Sequence, residues 1–262
     1  MKNYTLLCDE SEKQRLRMQA TQLYDGPHFL DPFLKKGIKV MDVGCGTGDI
    51  ARYVANKIKT GQVVAVDRDK DKIDTNVINN GGTKMAHIDY CVGDVYHLAY
   101  PDNSFDLTST RFLLMHLKYP QRAISEMMRV TKPGGFVVAH EGIHNAIWFN
   151  PALKHFKIIL NAWKCLMKKK GQDHSIGLSL HHVFMRAGLR QPRMQILTHY
   201  AQYGDILFDK YIANWKQHIP SFRKKLANKV SNNNFIILEN ELDALGSDSS
   251  LLELTSVAWG RK

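Results

Sequence analysis

The chain has 262 residues, 44% hydrophobic and 23% charged, which excludes collagen-like, wholly disordered and mini-protein classes and leaves a globular chain able to bury a sizeable core. Lysine and arginine total 36 against 25 acidic residues, and the formal charge of +11 fits nucleic acid, an anionic membrane face or simply a basic solvated surface. No apolar run approaches the roughly 18 residues that cross a bilayer, and acidic residues meet the N-terminus before a signal-type core develops. The four cysteines, Cys8, Cys45, Cys91 and Cys165, form no CxxC pair or zinc spacing, so a cytoplasmic protein without disulfides or a bound metal is expected.

Ser11 and Gln14 have the spacing of a capping box, and Leu16, Ala20, Leu23 and Tyr24 recur at helical spacing until Gly26-Pro27, which predicts an amphipathic helix ahead of the core. A buried strand follows at Ile38 to Val43, a helix at Asp49 to Ile58, a strand at Gln62 to Asp67, and a helix at Lys70 to Asn80 ended by Gly81-Gly82. Strands at Ile88 to Val92, Phe105 to Thr110 and Phe136 to Ala139, with a helix after Pro120, continue the alternation and predict a mostly parallel sheet with right-handed crossovers.

The rhythm changes at Asn150 to Lys170, where Leu153, Phe156, Leu160, Trp163 and Met167 form an apolar stripe on a helix whose other face is lysine-rich. A helix at Ser179 to Ala187, a strand at Gln195 to Tyr200, mainly helix from Asp205 to Leu238, and a last strand at Leu254 to Trp259 complete the reading. One domain is expected: leader helices over 1–37, a ligand-binding core over 38–142, helical cap insertions over 143–175 and 204–232, and a final helix and strand over 233–262.

The strongest signal is Val40-Met41-Asp42-Val43-Gly44-Cys45-Gly46-Thr47-Gly48, a buried strand running into alternating glycines and then a helix. Such a turn lets backbone approach a ligand with no Cβ between them. Its spacing is GxGxG, not the GxGxxG of dinucleotide sites, and Asp49 places a negative charge at the helix N-terminus where a pyrophosphate would dock. A ligand without phosphate fits better.

The segment Asp42 to Gly48 resembles the first motif of the class I S-adenosylmethionine-dependent methyltransferases. Asp67 at the end of the second strand, Gly93-Asp94-Val95 after the third, Pro101 to Asp106 before the fourth and Arg129 to Phe136 before the fifth resemble the family's further motifs, over about residues 38–142. The resemblance implies a Rossmann-like, doubly wound α/β fold with a seven-stranded, mostly parallel sheet, an N-terminal leader helix and a helical cap insertion. It implies S-adenosyl-L-methionine as cofactor and S-adenosyl-L-homocysteine as product. It places Asp42, Gly44, Cys45, Gly46, Thr47 and Gly48 at the cofactor, with Asp67 and its neighbour Arg68 at the ribose and Gly93, Asp94 and Val95 at the adenine. A leader helix like that of some small-molecule methyltransferases would bring Gln19, and Tyr4 with it, to the methionine end. Cys45 also reads as a small packing residue.

A methyl on a sulfonium is already activated, so positioning and water exclusion are the protein's main tasks, with a base needed when the acceptor carries a proton. After strand four come Arg111, Phe112 and His116, and after strand five His140, Glu141 and His144. His116 and Glu141 are the expected acceptor-side catalytic residues, and Arg111 meets either the cofactor carboxylate or an acidic substrate. The pairs His140/His144 and His181/His182 lack the shared helical face of a metal site. No Asn/Asp-Pro-Pro-aromatic loop follows strand four and no cysteine follows a proline, which disfavours amino methylation of bases and cytosine C5 chemistry. A small-molecule acceptor, apolar or aromatic, is expected. The alternatives are an RNA methyltransferase, a non-catalytic cofactor-binding module and, third, a nicotinamide oxidoreductase.

Overall fold

The computed structural model describes residues 10–79 and 87–262. The leader helix α1 spans Glu10–Gln22 and is followed by a 3-10 helix at His28–Phe33. Ser11 therefore lies inside α1, one residue past its first described position, and is not its cap. The expected Gly81-Gly82 helix stop lies outside the described residues.

The core alternates as expected: β1 (Lys39–Val43), α2 (Asp49–Ile58), β2 (Gln62–Asp67), α3 (Lys70–Asn79), β3 (His87–Val92), β4 (Phe105–Arg111), α4 (Pro120–Val130) and β5 (Thr131–Asn150). Apolar spacing sets each helix against the sheet. On α2 the buried residues are Ile50, Ala51, Val54, Ala55 and Ile58, and on α4, which has Pro at its first turn, they are Ala123, Ile124, Met127 and Val130. The chain continues through α5 (Lys154–Lys169), α6 (Leu180–Arg186), β6 (Arg190–Gln202), α7 (Ile206–Leu226), α8 (Asn232–Asp243) and β7 (Ser250–Arg261).

The seven strands form one sheet in the order β3-β2-β1-β4-β5-β7-β6, with β7 antiparallel to both neighbours and the other pairings parallel. The order in which strands are added to the sheet reverses between β1 and β4, which are themselves parallel. A doubly wound sheet opens its ligand crevice at this switch point, beyond the strand C-termini.

One expectation fails at β5. The strand does not stop at Ala139 but pairs on with β7 through Ile147↔Glu253, Trp148↔Leu252, Phe149↔Leu251 and Asn150↔Ser250, after a register shift between Gly142 and Ile147. Residues 143–150 are sheet, not cap. β-Branched and aromatic residues such as Ile143, Ile147, Trp148 and Phe149 suit a pleated surface, and the long β7 offers them a partner. The cap is built instead from α5, α7 and α8, packed through Phe156, Trp163, Trp215, Phe222, Phe235 and Leu238. Trp163 is 1% exposed, burial that stabilises by about 3 kcal/mol. Among the described residues no helix is long and apolar enough to cross a membrane.

Candidate active site

A cavity of about 540 Å³ joins the switch point to the underside of the cap. Its core end is the glycine-rich turn, which is braced before any ligand arrives. Gly44 and Cys45 donate their N–H groups to the Val66 carbonyl at 2.7 and 3.0 Å, Gly46 N–H donates to Asp67 Oδ2 at 2.9 Å, and Asn76 Nδ2 donates to the Gly46 carbonyl at 2.9 Å. Gly46 has φ +53° and a Cβ there would meet nothing within 4 Å, so the turn holds open space. Gly48 differs: its Cβ would lie 2.9 Å from the Tyr90 ring and hydroxyl, and the residue does not line the cavity. Its glycine admits Tyr90, a packing reason for the residue that the motif spacing did not reveal.

Asp42, Gly44, Cys45, Gly46, Thr47, Asp67, Arg68, Gly93, Asp94, Val95, Arg111 and Gln19 all line this cavity. Tyr4 lies outside the described residues. Asp67 Oδ1 accepts from the Asp69 N–H at 3.0 Å, so both its oxygens are fixed at the end of β2. Asp94 Oδ1 is likewise held by the Tyr96 N–H at 2.9 Å. Asp42 is 2% exposed and its Oδ2 has no partner among the described residues. Burial first, then the Asp67 charge, raise its pKa to about 7. A buried carboxylate oxygen without a partner beside an open turn suits a cationic ligand, as S-adenosylmethionine is.

Arg111, besides lining the cavity, ties elements together. Its Nη2 donates to the carbonyls of Gln19 and Leu23 at 2.8 and 3.3 Å and its Nε to His140 Nδ1 at 3.3 Å, so it fastens the end of the leader helix to β4. An arginine nitrogen only donates, hence His140 Nδ1 holds the lone pair and its Nε2–H donates to Thr255 Oγ1 at 2.9 Å. His140 is wholly buried inside β5.

Of the two expected catalytic residues, the structure brings only His116 to the cavity. Glu141 is wholly buried and does not line it. Its Oε1 accepts from the N–H groups of Leu113 and Leu114 at 2.9 and 2.6 Å, and its Oε2 from Met115 at 3.4 Å. Glu141 therefore shapes the turn after β4 that carries Leu114–His116, while burial, opposed by those N–H groups, lifts its pKa to about 8. That turn includes Phe112 at φ +50°, a strained backbone for an aromatic residue.

The cap end of the cavity joins the candidates His116 and His144 to residues that the sequence did not single out for chemistry, among them Tyr24, His174, His218 and Glu253. Tyr24 donates its hydroxyl to Glu253 Oε2 at 2.7 Å, and Trp215 Nε1–H donates to Glu253 Oε1. Glu253 is 3% exposed and burial raises its pKa to about 7. His116, His144, His174 and His218 converge from four separate segments, with Trp163 and Phe222 among them. The His116 and His144 rings lie 5.0 and 5.3 Å from that of His174, and burial holds their pKa values at about 3 and about 4. Among the described residues no three histidine, cysteine or acidic side chains are arranged to hold a metal ion.

Residues 41–139 match the family model of the methyltransferase domain. An uncharacterised methyltransferase of Schizosaccharomyces pombe is 36% identical over 115 residues, 42% of this chain and 41% of its own length. A ubiquinone/menaquinone biosynthesis C-methyltransferase of Hydrogenovibrio crunogenus is 33% identical over 111 residues, 41% of this chain and 43% of its own length. The chain thus spans less than half the length of these curated relatives. Among solved structures, a SAM-dependent methyltransferase of Aquifex aeolicus superposes with a TM-score of 0.53 at 22% identity, covering 72% of this chain and 92% of that one. Phosphoethanolamine N-methyltransferase 2 of Haemonchus contortus, in complex with S-adenosyl-L-methionine, gives 0.58 at 17% identity, covering 96% and 56%. These two likenesses establish the fold.

Proposed function

From the premise that residues 41–139 belong to the methyltransferase domain family of class I S-adenosylmethionine-dependent enzymes, we propose that this chain methylates a small-molecule acceptor held beneath its cap. The observation that carries the reading is the continuity of the cavity: one space runs from the Gly46 turn to an aromatic and imidazole-lined chamber. S-adenosylmethionine, when bound, supplies a methyl group already activated on a sulfonium. The chain's own residues then have three tasks. The Asp67 carboxylate accepts hydrogen bonds from vicinal hydroxyls, and Asp42 gives its unpartnered oxygen to the cationic end. The packed walls of Phe112, Trp163 and Phe222 exclude water and hold the acceptor in line behind the methyl carbon. A lone pair at the cap end removes the acceptor's proton where it has one.

A small acceptor is supported by the cavity's volume of about 540 Å³, and the relatives named for ubiquinone and menaquinone biosynthesis agree with an apolar, ring-bearing one. Calorimetry with S-adenosylmethionine and S-adenosylhomocysteine, followed by labelled-methyl transfer to a panel of ring-bearing acceptors, tests the proposal. Binding of both and label in an organic product are expected. Folded protein that ignores both ligands would overturn it.

A further inference from the structure

His218 on α7 has Nδ1 at 2.7 Å from the backbone carbonyl oxygen of Asn214. A carbonyl oxygen only accepts, so Nδ1 carries the proton and Nε2 of the neutral ring presents its lone pair. No hydrogen bond to Nε2 is made among the described residues, and His218 lines the cavity. The lone pair is left without a protein partner among the described residues, on a ring that lines the cavity.

The surroundings keep that ring neutral. Burial foremost, and then the Arg15 charge on α1, push its pKa well below the usual imidazole range, with His144 from β5 and His116 from the turn after β4 adding to the effect and the Asn214 carbonyl opposing it. His174, between α5 and α6, also faces it. No carboxylate is among these groups. The flanks are aromatic: Phe222 lies 5.5 Å from the His218 ring at 39°, Trp215 lies 5.3 Å away at 37°, and Trp163 stacks 4.5 Å from Phe222. A neutral acceptor atom set among ring faces matches a flat ring that carries one hydrogen-bond donor.

We propose that Nε2 of His218 takes the proton of a phenol-type hydroxyl whose oxygen receives the methyl group, which makes hydroxylated aromatic rings the acceptor class of this site. The inference rests on the methyltransferase reading above. In the step, the O–H bond breaks and its proton passes to Nε2, while an oxygen electron pair forms the new O–C bond to the methyl carbon. The C–S bond breaks and its pair stays on sulfur, leaving the neutral thioether of S-adenosylhomocysteine. One positive charge enters the step on sulfur and one leaves it on the imidazolium, so the buried site carries the same net charge throughout. The sulfonium charge disappears as the proton arrives, while burial and the Arg15 charge continue to oppose it, and the imidazolium returns its proton to water when the product leaves.

The test uses 2-naphthol and naphthalene as probes, binding to protein saturated with S-adenosylhomocysteine, and 2-naphthol as acceptor in single turnovers with S-adenosylmethionine. His218→Phe keeps a flat ring and removes the lone pair. It is expected to bind naphthalene like the wild type, to bind 2-naphthol about tenfold more weakly, and to methylate it about 10²- to 10⁴-fold more slowly, with S-adenosylhomocysteine affinity unchanged. Equal 2-naphthol affinity and rate in variant and wild type would overturn the proposal. So would failure of the loaded wild type to bind 2-naphthol. Should His218→Phe not fold, His218→Gln takes its place with the same expected loss of rate and the same overturning result. If the folded wild type binds no S-adenosylhomocysteine, the methyltransferase reading fails, an outcome separate from failure of the His218 role.

Discussion

Asp67 and Gly46 carry the sharpest expectations at the scale of single residues. Asp67→Ala is expected to weaken S-adenosylmethionine binding by about 1 to 3 kcal/mol, because the carboxylate faces the cavity and also holds the Gly46 N–H; titration calorimetry on the folded variant measures it, and unchanged affinity removes the ribose role. Gly46→Val is expected to abolish binding, since its side chain would occupy the open space of the turn and its φ of +53° disfavours a β-branched residue. Asp42 supplies a pH signature. Its pKa of about 7 means that much of the population is protonated at pH 6 to 7, and a cationic ligand favours the ionised form. Binding is therefore expected to tighten as pH rises toward 8 and to release protons at pH 6.5, which calorimetry in two buffers of different ionisation enthalpy detects; Asp42→Asn should remove the release. Residues such as these were legible because motif spacing is local. His174, His218 and Glu253 were not, because each joins the cavity from a different part of the chain and only tertiary packing brings them together. Glu141 shows the converse: its position after the first residues of β5 suggested chemistry, yet its oxygens serve three backbone N–H groups.

Among the elements, the leader helix is held most specifically. Arg15 donates from Nε and Nη2 to Glu12 at 2.7 and 2.8 Å, and from Nη1 to Asn214 Oδ1 on α7 at 3.2 Å, with Arg15 2% and Glu12 8% exposed. Glu12→Ala removes the closest counter-charge from a buried guanidinium and is expected to cost about 3 kcal/mol in urea unfolding, while the double variant Glu12→Leu/Arg15→Met should recover most of it. A loss below ~1 kcal/mol in the single variant would show that the partners Arg15 keeps suffice without Glu12. The existence of this helix was readable from its apolar spacing, whereas its ion pair was not, since both partners look like ordinary solvated charges in the sequence. The extension of β5 escaped for a related reason: Gly142, His144 and Asn145 interrupt the strand pattern, and the pairing with β7 that overrides them links positions more than a hundred residues apart.

For the whole molecule, the buried titratable groups oppose one another. Asp42 and Glu253 at about 7 and Glu141 at about 8 keep protons that the unfolded chain loses near pH 4, so the stability they contribute falls as pH rises from about 4 to 8. His116 at about 3, with His144 and His199 at about 4 and His140, His174 and His218 pushed down by burial as well, stay neutral while the unfolded chain gains protons near pH 6.5, so the lowered imidazoles outnumber the raised carboxyl groups below that value. Their contribution is present above that value and falls as pH drops toward 3. Guanidinium midpoints measured from pH 5 to 9 are expected to peak near neutrality, with the acidic limb flattened in His116→Asn; a steady rise across the range would contradict it.

The continuous strand β5 has one more consequence. The match to the methyltransferase-domain model ends at residue 139, and the histidines and aromatics of the chamber lie mostly beyond it, yet the strand Thr131–Asn150 runs across that boundary and pairs with β7 on the way. The matched segment and the segment that builds the chamber are joined within a single ribbon of backbone. To exchange substrate preference between such proteins, a chimaera has to be cut inside this strand and carry its antiparallel neighbour along, because a junction at the cap's first helix would leave the chamber floor behind.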